Sequence, residues 1–208
     1  MPETFIQTSP ADPRAQPLIA ALAVEYQTRY EDLYRIDGES AEIELKRYAP
    51  ALFTPAGGGQ FLLLLRDGEA IAGGAFKRHP DPRTAEFKRI WTDRRFRRQG
   101  LAGRVLAELE AHAVRQGYER IFLTTGCRQP EAVGLYLRHG YTPRFDLDGD
   151  HEALRTLPFD KLLRPRHAAP TGPEPISAAS PATSSLPQSA ASSAATSLHL
   201  SPAHSHPA

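Results

Sequence analysis

Ile90-Trp91-Thr92-Asp93-Arg94-Arg95-Phe96-Arg97-Arg98-Gln99-Gly100-Leu101-Ala102-Gly103-Arg104 compresses a strand end, a basic glycine-containing turn and a helix start into fifteen residues. From Leu101 onward the period is helical, because Leu101, Val105, Leu109 and Ala113 lie four apart and make one apolar stripe, which Gly117 closes. A helix start presents backbone N–H groups without intrahelical partners and the positive end of the helix dipole. Gly100 and Ala102 leave room for an anion to approach the main chain, and Arg97, Arg98 and Arg104 are placed to add charge-assisted hydrogen bonds. The same residues also suit a plain surface helix with solvated arginines. Two phosphate loops are excluded by spacing: there is no G-x-x-x-x-G-K-[ST], and Gly100-Leu101-Ala102-Gly103 does not complete G-x-G-x-x-G.

Upstream, Thr4 to Thr8 reads as a strand, Pro17 to Tyr30 as a helix striped by Leu18, Ala21, Leu22, Glu25 and Tyr26, and Glu39 to Tyr48 as a second short helix. After the Gly57-Gly58-Gly59 loop, Phe61 to Leu65 is an unbroken apolar run, which predicts a strand buried on both faces. Asp67-Gly68 has hairpin-turn chemistry and returns the chain into a strand over Ala70 to Lys77, followed by another over Thr84 to Thr92. Downstream, Ile121 to Thr125 is a strand, Glu131 to His139 a helix stopped by Gly140, and Tyr141 to Phe145 and Leu157 to Leu163 are closing strands. An antiparallel first half thus precedes a strand, helix, strand, helix second half.

The 208 residues carry a formal net charge of +1, so there is no global attraction to nucleic acid or to an acidic membrane. Between Lys77 and Arg104, however, ten lysines and arginines face only three carboxylates, which concentrates a local anion site. The single cysteine, Cys127, excludes an intrachain disulfide framework and a multi-cysteine metal site, and fits a reducing cytoplasm. There is no signal-peptide pattern and no apolar run near membrane-spanning length. After His167 the chain is almost purely Ala, Ser, Pro and Thr with Glu174 its only formal charge; such a composition cannot offset the entropy of ordering. The expected organisation is a folded domain over residues 1–166 and a disordered tail over 167–208, in which His199, His204 and His206 are too poor in carboxylate neighbours for a designed metal site.

Arg97-Arg98-Gln99-Gly100-Leu101-Ala102 resembles the R/Q-x-x-G-x-G/A signature of GNAT acetyltransferases, and the resemblance continues over about residues 84 to 145. Ala85 to Thr92 is similar to that family's central strand, Ile121 to Gly126 to the strand that splays away from it, and Ala132-Val133-Gly134-Leu135-Tyr136-Leu137-Arg138-His139-Gly140-Tyr141 to its A-x-x-L-Y-x-x-x-G-F/Y helix and turn. The resemblance implies an α/β fold of the α+β type: a mixed, mostly antiparallel sheet of six or seven strands flanked by about four helices and splayed at the central strands. It also implies acetyl-coenzyme A as co-substrate, with no metal. Ile90, Trp91 and Thr92 would run beside the pantetheine arm. Arg97, Arg98, Gln99, Gly100, Leu101, Ala102, Gly103 and Arg104 would hold the pyrophosphate, and Gln129 stands where relatives place an asparagine on the coenzyme arm.

In this reading Tyr136 is the general acid for the departing thiolate, and a backbone N–H near Trp91 serves the oxyanion; Glu86 is either a general base whose pKa burial would raise or a strand carboxylate paired with Arg89 or Lys88, with water relaying the proton. The acceptor is an amine on a small molecule, amino acid or peptide, shaped by the segment around Tyr26 to Ile36, where Asp32 and Asp37 could greet a cation. No Ser-His or Cys-His nucleophile motif is apparent, so transfer is direct. A cytoplasmic monomer or homodimer without nucleic-acid or membrane partners is expected. A non-catalytic acyl-coenzyme A sensor and a nucleic-acid binder using Arg94, Arg95, Arg97 and Arg98 are the competing classes.

Overall fold

The computed structural model describes residues 2–163; the tail expected over 167–208, with His199, His204 and His206, lies outside the described residues. Seven strands form one sheet: β1 (Glu3–Gln7), β2 (Gln60–Arg66), β3 (Glu69–Arg78), β4 (Thr84–Thr92), β5 (Arg120–Gly126), β6 (Thr142–Pro143) and β7 (Thr156–Leu162). Their order across the sheet is β1-β2-β3-β4-β5-β7-β6, antiparallel throughout except for the parallel β4–β5 pair. Five helices accompany them: α1 (Gln16–Asp37), α2 (Ala41–Lys46), α3 (Leu101–Arg115), α4 (Pro130–Arg138) and α5 (His151–Leu154).

β2 shows why its apolar run is unbroken. Leu62 and Leu64 pack on one face with Val105, Leu106 and Leu109 of α3, while Phe61 and Leu63 pack on the other with Leu18 and Leu22 of α1. The β2–β3 hairpin turns on Asp67 and Gly68, both at positive φ (50° and 84°), the primed geometry that matches strand twist. On the α3 face, Phe76 and Phe87 stack with ring centres 5.7 Å apart.

Two segments differ from the sequence expectation. α1 runs past Tyr30 to Asp37, because the chain bends at Tyr30 (φ −125°, ψ 15°) rather than stopping, and Gly38 in the left-handed region ends it. The polar Glu31, Asp32 and Arg35 of this second half dilute the stripe that marks the first. The strand expected over Tyr141 to Phe145 shrinks to Thr142–Pro143, since Tyr141 and Phe145 instead pack edge-on against Tyr136 and Phe159.

β4 and β5 pair only from Thr84↔Arg120 to Phe87↔Leu123. Beyond that point β4 keeps its contact with β3 as far as Thr92, and β5 keeps its contact with β7 as far as Gly126. The two strands therefore part, and the β5-facing backbone edge of β4 from Lys88 to Thr92 has no strand partner. A bulge coincides with the parting: Arg89 and Ile90 together oppose Gly74, and Arg89 takes φ +59°. An extra residue bends and overtwists a strand, and an arginine in that conformation is held there by its surroundings. Gly74 leaves room for the Ile90 side chain over the bulge, because a Cβ there would come within 2.7 Å of Ile90 Cδ1.

Candidate active site

The turn after β4 delivers the chain to α3 through Arg98 and Gly100, at φ +62° and +73°. The first helical bond of α3 is Arg104 N–H to Gly100 C=O at 3.2 Å. The N–H groups of Leu101, Ala102 and Gly103 precede it, no side chain caps this end, and the first turn holds no carboxylate. Leu101 is buried and anchors the helix start against the sheet.

A cleft of about 710 Å³ opens where β4 and β5 part, bounded by the start of α3, by α4 and by α1. Of the residues expected to bind the coenzyme, Ile90, Trp91, Thr92, Arg97, Arg98, Gly100, Leu101, Ala102, Gly103 and Gln129 all line it, and so does Tyr136. The Tyr136 ring is buried against Tyr141 and Phe159, with centres 5.6 and 5.4 Å away. Its hydroxyl has no hydrogen-bond partner among the described residues, and burial pushes its pKa upward, so the phenol keeps its proton. Thr92 Oγ1 is also buried without a partner among the described residues.

The mouth is charged. Glu25 of α1 accepts from Arg97 Nη2 at 3.0 Å and lies 3.0 Å from Arg29 Nη2, and Arg29 reaches Glu131 of α4. These residues strap α1 to the basic turn and to α4 across the cleft. A diphosphate at the start of α3 would compete with Glu25 for Arg97.

A family model for the acetyltransferase (GNAT) family matches residues 25–141. The chain belongs to the GNAT acetyltransferase family. Among solved structures it is similar to a candidate acyl-CoA N-acyltransferase from Klebsiella pneumoniae, at 26% identity and a TM-score of 0.59, with 78% of this chain and 98% of that one covered. The fold is also shared with a GNAT acetyltransferase from Elizabethkingia anophelis with acetyl-CoA bound (16% identity, TM-score 0.54, 77% and 98% covered). A third likeness is the PaiA N-acetyltransferase from Thermoplasma acidophilum in complex with coenzyme A (16%, TM-score 0.55, 78% and 99% covered). No curated protein sequence matches the chain.

Within this GNAT fold several expected residues turn out to do something other than line the cleft. Gln99 directs its amide oxygen to Arg66 Nη2 at 3.1 Å, and Arg104 pairs with Glu3 of β1; neither side chain lines the cleft. Gly103 does line it, but a Cβ there would also sit 2.5 Å from His139 Cε1, so its bareness lets α3 approach the end of α4. The Gln129 amide oxygen accepts from Thr125 Oγ1 at 2.8 Å and from Gly126 N–H at 3.1 Å; it closes the β5–α4 turn and leaves only the NH₂ end for a ligand. Asp32 and Asp37 are taken by Arg128 and Arg155. Glu25, Arg29, Glu131 and His139 were not singled out for the cleft in the sequence; Glu25 and Arg29 form an i,i+4 pair on α1, but their facing partners are remote in the chain.

Glu86 stands apart from the cleft. It is absent from the cleft lining, and its carboxylate is held by Lys77 Nζ across the β3–β4 register and by Lys88 Nζ at 2.8 Å. Burial raises a carboxyl pKa, but here the two ammonium hydrogen bonds outweigh it and hold the group below its ordinary 4.5. An anchored carboxylate of lowered basicity is a poor proton acceptor. Glu86→Gln is therefore expected to leave turnover within about twofold and to lower stability by roughly 2 kcal/mol, since Lys77 stays buried without its counter-charge. Denaturant titration checks this. Because the folded pKa is depressed, the difference from wild type is present above about pH 4.5 and shrinks as pH falls through the folded value.

Proposed function

We propose that the chain transfers an acetyl group from acetyl-CoA to a primary amine by direct attack on the thioester, with Tyr136 as the general acid. The observation that carries this reading is the Tyr136 hydroxyl, on a buried ring and without a partner among the described residues, in the wall of a cleft that also contains an uncapped helix start. Membership of the GNAT family and the coenzyme complexes among the structural likenesses support it.

The residues present suit acetyl-CoA. The first-turn N–H groups of α3, with Arg97 and Arg98, form an anion cradle, and the unpaired edge of β4 offers backbone donors and acceptors for the amides of the pantetheine arm. The amine attacks in its neutral form, having lost its first proton to solvent. The carbon–sulfur bond breaks with its electron pair on sulfur, sulfur takes the Tyr136 proton, and the second amine proton restores the phenol. With Glu86 tied to two lysines, water carries the first proton away. The folding unit is proposed as residues 1–166, in the cytoplasm.

Titration calorimetry with acetyl-CoA, followed by a free-thiol assay against a panel of amines, tests the proposal. Micromolar binding with amine-dependent thiol release is expected. Binding with no release on any amine would leave a sensor, and no binding would remove the proposal.

A further inference from the structure

A second cavity of about 230 Å³ adjoins the cleft on the α1 side and shares Tyr26, Glu44, Thr124, Thr125 and Gln129 with it. Its apolar side is a row of rings, Tyr26, Tyr30 and Tyr34, four residues apart along α1 and so on one face. Its ionisable residues other than tyrosine are Asp37, Glu39, Glu44, Arg47 and Arg155. Four of these lie in oppositely charged pairs, Asp37 with Arg155 and Glu39 Oε2 with Arg47 Nη2 at 3.3 Å, the second contact without a hydrogen bond. In the cleft wall Glu25 and Glu131 are similarly matched by Arg29 and Arg97.

Glu44 is the exception. Among the described residues no Lys, Arg or His pairs with it, and the contact it makes is a hydrogen bond accepted by Oε2 from the Tyr34 hydroxyl at 2.6 Å. A neutral phenol orients a carboxylate without cancelling its charge. Tyr26, half-buried, lines both the cleft and this cavity, as Glu44 does, and the cleft also holds Tyr136, the proposed acid. An uncompensated carboxylate beside tyrosine faces is the chemistry that receives an ammonium group, by charge and by cation–π attraction. The cavity is small beside the cleft, about 230 against 710 Å³, which suits a small body better than a peptide segment.

We infer that the acceptor is a small cationic amine with an apolar body and no carboxylate near the nitrogen, drawn to Glu44 and laid along Tyr26, Tyr30 and Tyr34. This rests on the acetyl-transfer reading above. Glu44 recognises the substrate; Arg47 and Arg155 are paired with Glu39 and Asp37, and Arg89 of the cleft donates to the Leu45 carbonyl, so an acid-bearing amine brought to Glu44 meets an uncompensated like charge.

The test compares phenethylamine and hexylamine with phenylalanine and a tetrapeptide bearing a free N-terminus, by thiol release on the full chain. The two simple amines are expected to exceed the other two at least tenfold in kcat/KM. Glu44→Gln should raise the KM for phenethylamine about tenfold while the KM for acetyl-CoA stays within twofold; Glu44→Asp should recover part of the loss and Tyr34→Phe should cost about threefold. An unchanged phenethylamine KM in Glu44→Gln overturns the inference, as does equal or better use of phenylalanine or the tetrapeptide. Acetyl-CoA binding without transfer to either simple amine overturns it alone, whereas failure to bind acetyl-CoA removes the acetyl-transfer reading and this inference with it.

Discussion

Replacing Ala102 by Glu should weaken acetyl-CoA binding at least a hundredfold while leaving the protein as stable as before or slightly more so. The two effects have opposite signs because they draw on the same N–H groups. α3 begins without a side-chain cap and without an acid in its first turn, so a carboxylate placed there meets the positive end of the helix dipole and gains about 0.3 to 1 kcal/mol. That same carboxylate occupies and repels an anion at the helix start. Losing charge-assisted hydrogen bonds costs about 1.5 to 3 kcal/mol each, and about 2.7 kcal/mol is a hundredfold in affinity. Calorimetry gives the affinity and a thermal melt the stability. The plain reading of this segment, a surface helix with solvated arginines, predicts the gain in stability with no loss of binding. Affinity within threefold of wild type would show that the start of α3 is not where the pyrophosphate sits.

What could be read from the sequence divides along the range of the interactions involved. Asp67-Gly68, the stripe Leu101-Val105-Leu109-Ala113 and the two-faced run of β2 are set by neighbours in the chain, and the structure carries them as expected. The bulge at Arg89 was not legible, because nothing in Lys88-Arg89-Ile90 favours a left-handed arginine; it is accompanied by contacts remote in the chain, Gly74 leaving room for Ile90 and Arg89 Nη2 donating to the Leu45 carbonyl. Glu86 is the sharper case. Its place on the central strand and its neighbour Lys88 were visible, but its basicity also depends on burial and on Lys77, which lies opposite it only once β3 and β4 are paired. Likewise the Glu25–Arg97 contact joins α1 to the basic turn, and no local pattern announces it. The charges could be counted in the sequence, but which of them cancel could not, and that is the distinction that isolates Glu44.

Tyr136→Phe should lower kcat by about 10² to 10³, the range a positioned general acid supplies, with the KM for acetyl-CoA within threefold. The change is a clean one. The ring keeps its contacts with Tyr141 and Phe159, and the lost hydroxyl had no partner among the described residues, so stability should move by no more than about 0.5 kcal/mol. The pH profile separates this role from a packing role. Burial raises the phenol above its ordinary 10.0, so the acid form persists through neutral and mildly alkaline pH, and wild-type kcat should show no decline from Tyr136 ionisation below about pH 10. A phenol held so firmly to its proton is by itself a reluctant donor. In the proposed mechanism it is a competent one because the attacking nitrogen, once bonded to the acyl carbon, must shed its own second proton, and the phenolate left by donation would take it. Phenylalanine removes both halves of that exchange at once, forcing sulfur and nitrogen to trade protons with water. If kcat in the variant stays within twofold of wild type across pH, water already serves sulfur in the native enzyme and Tyr136 contributes only its ring.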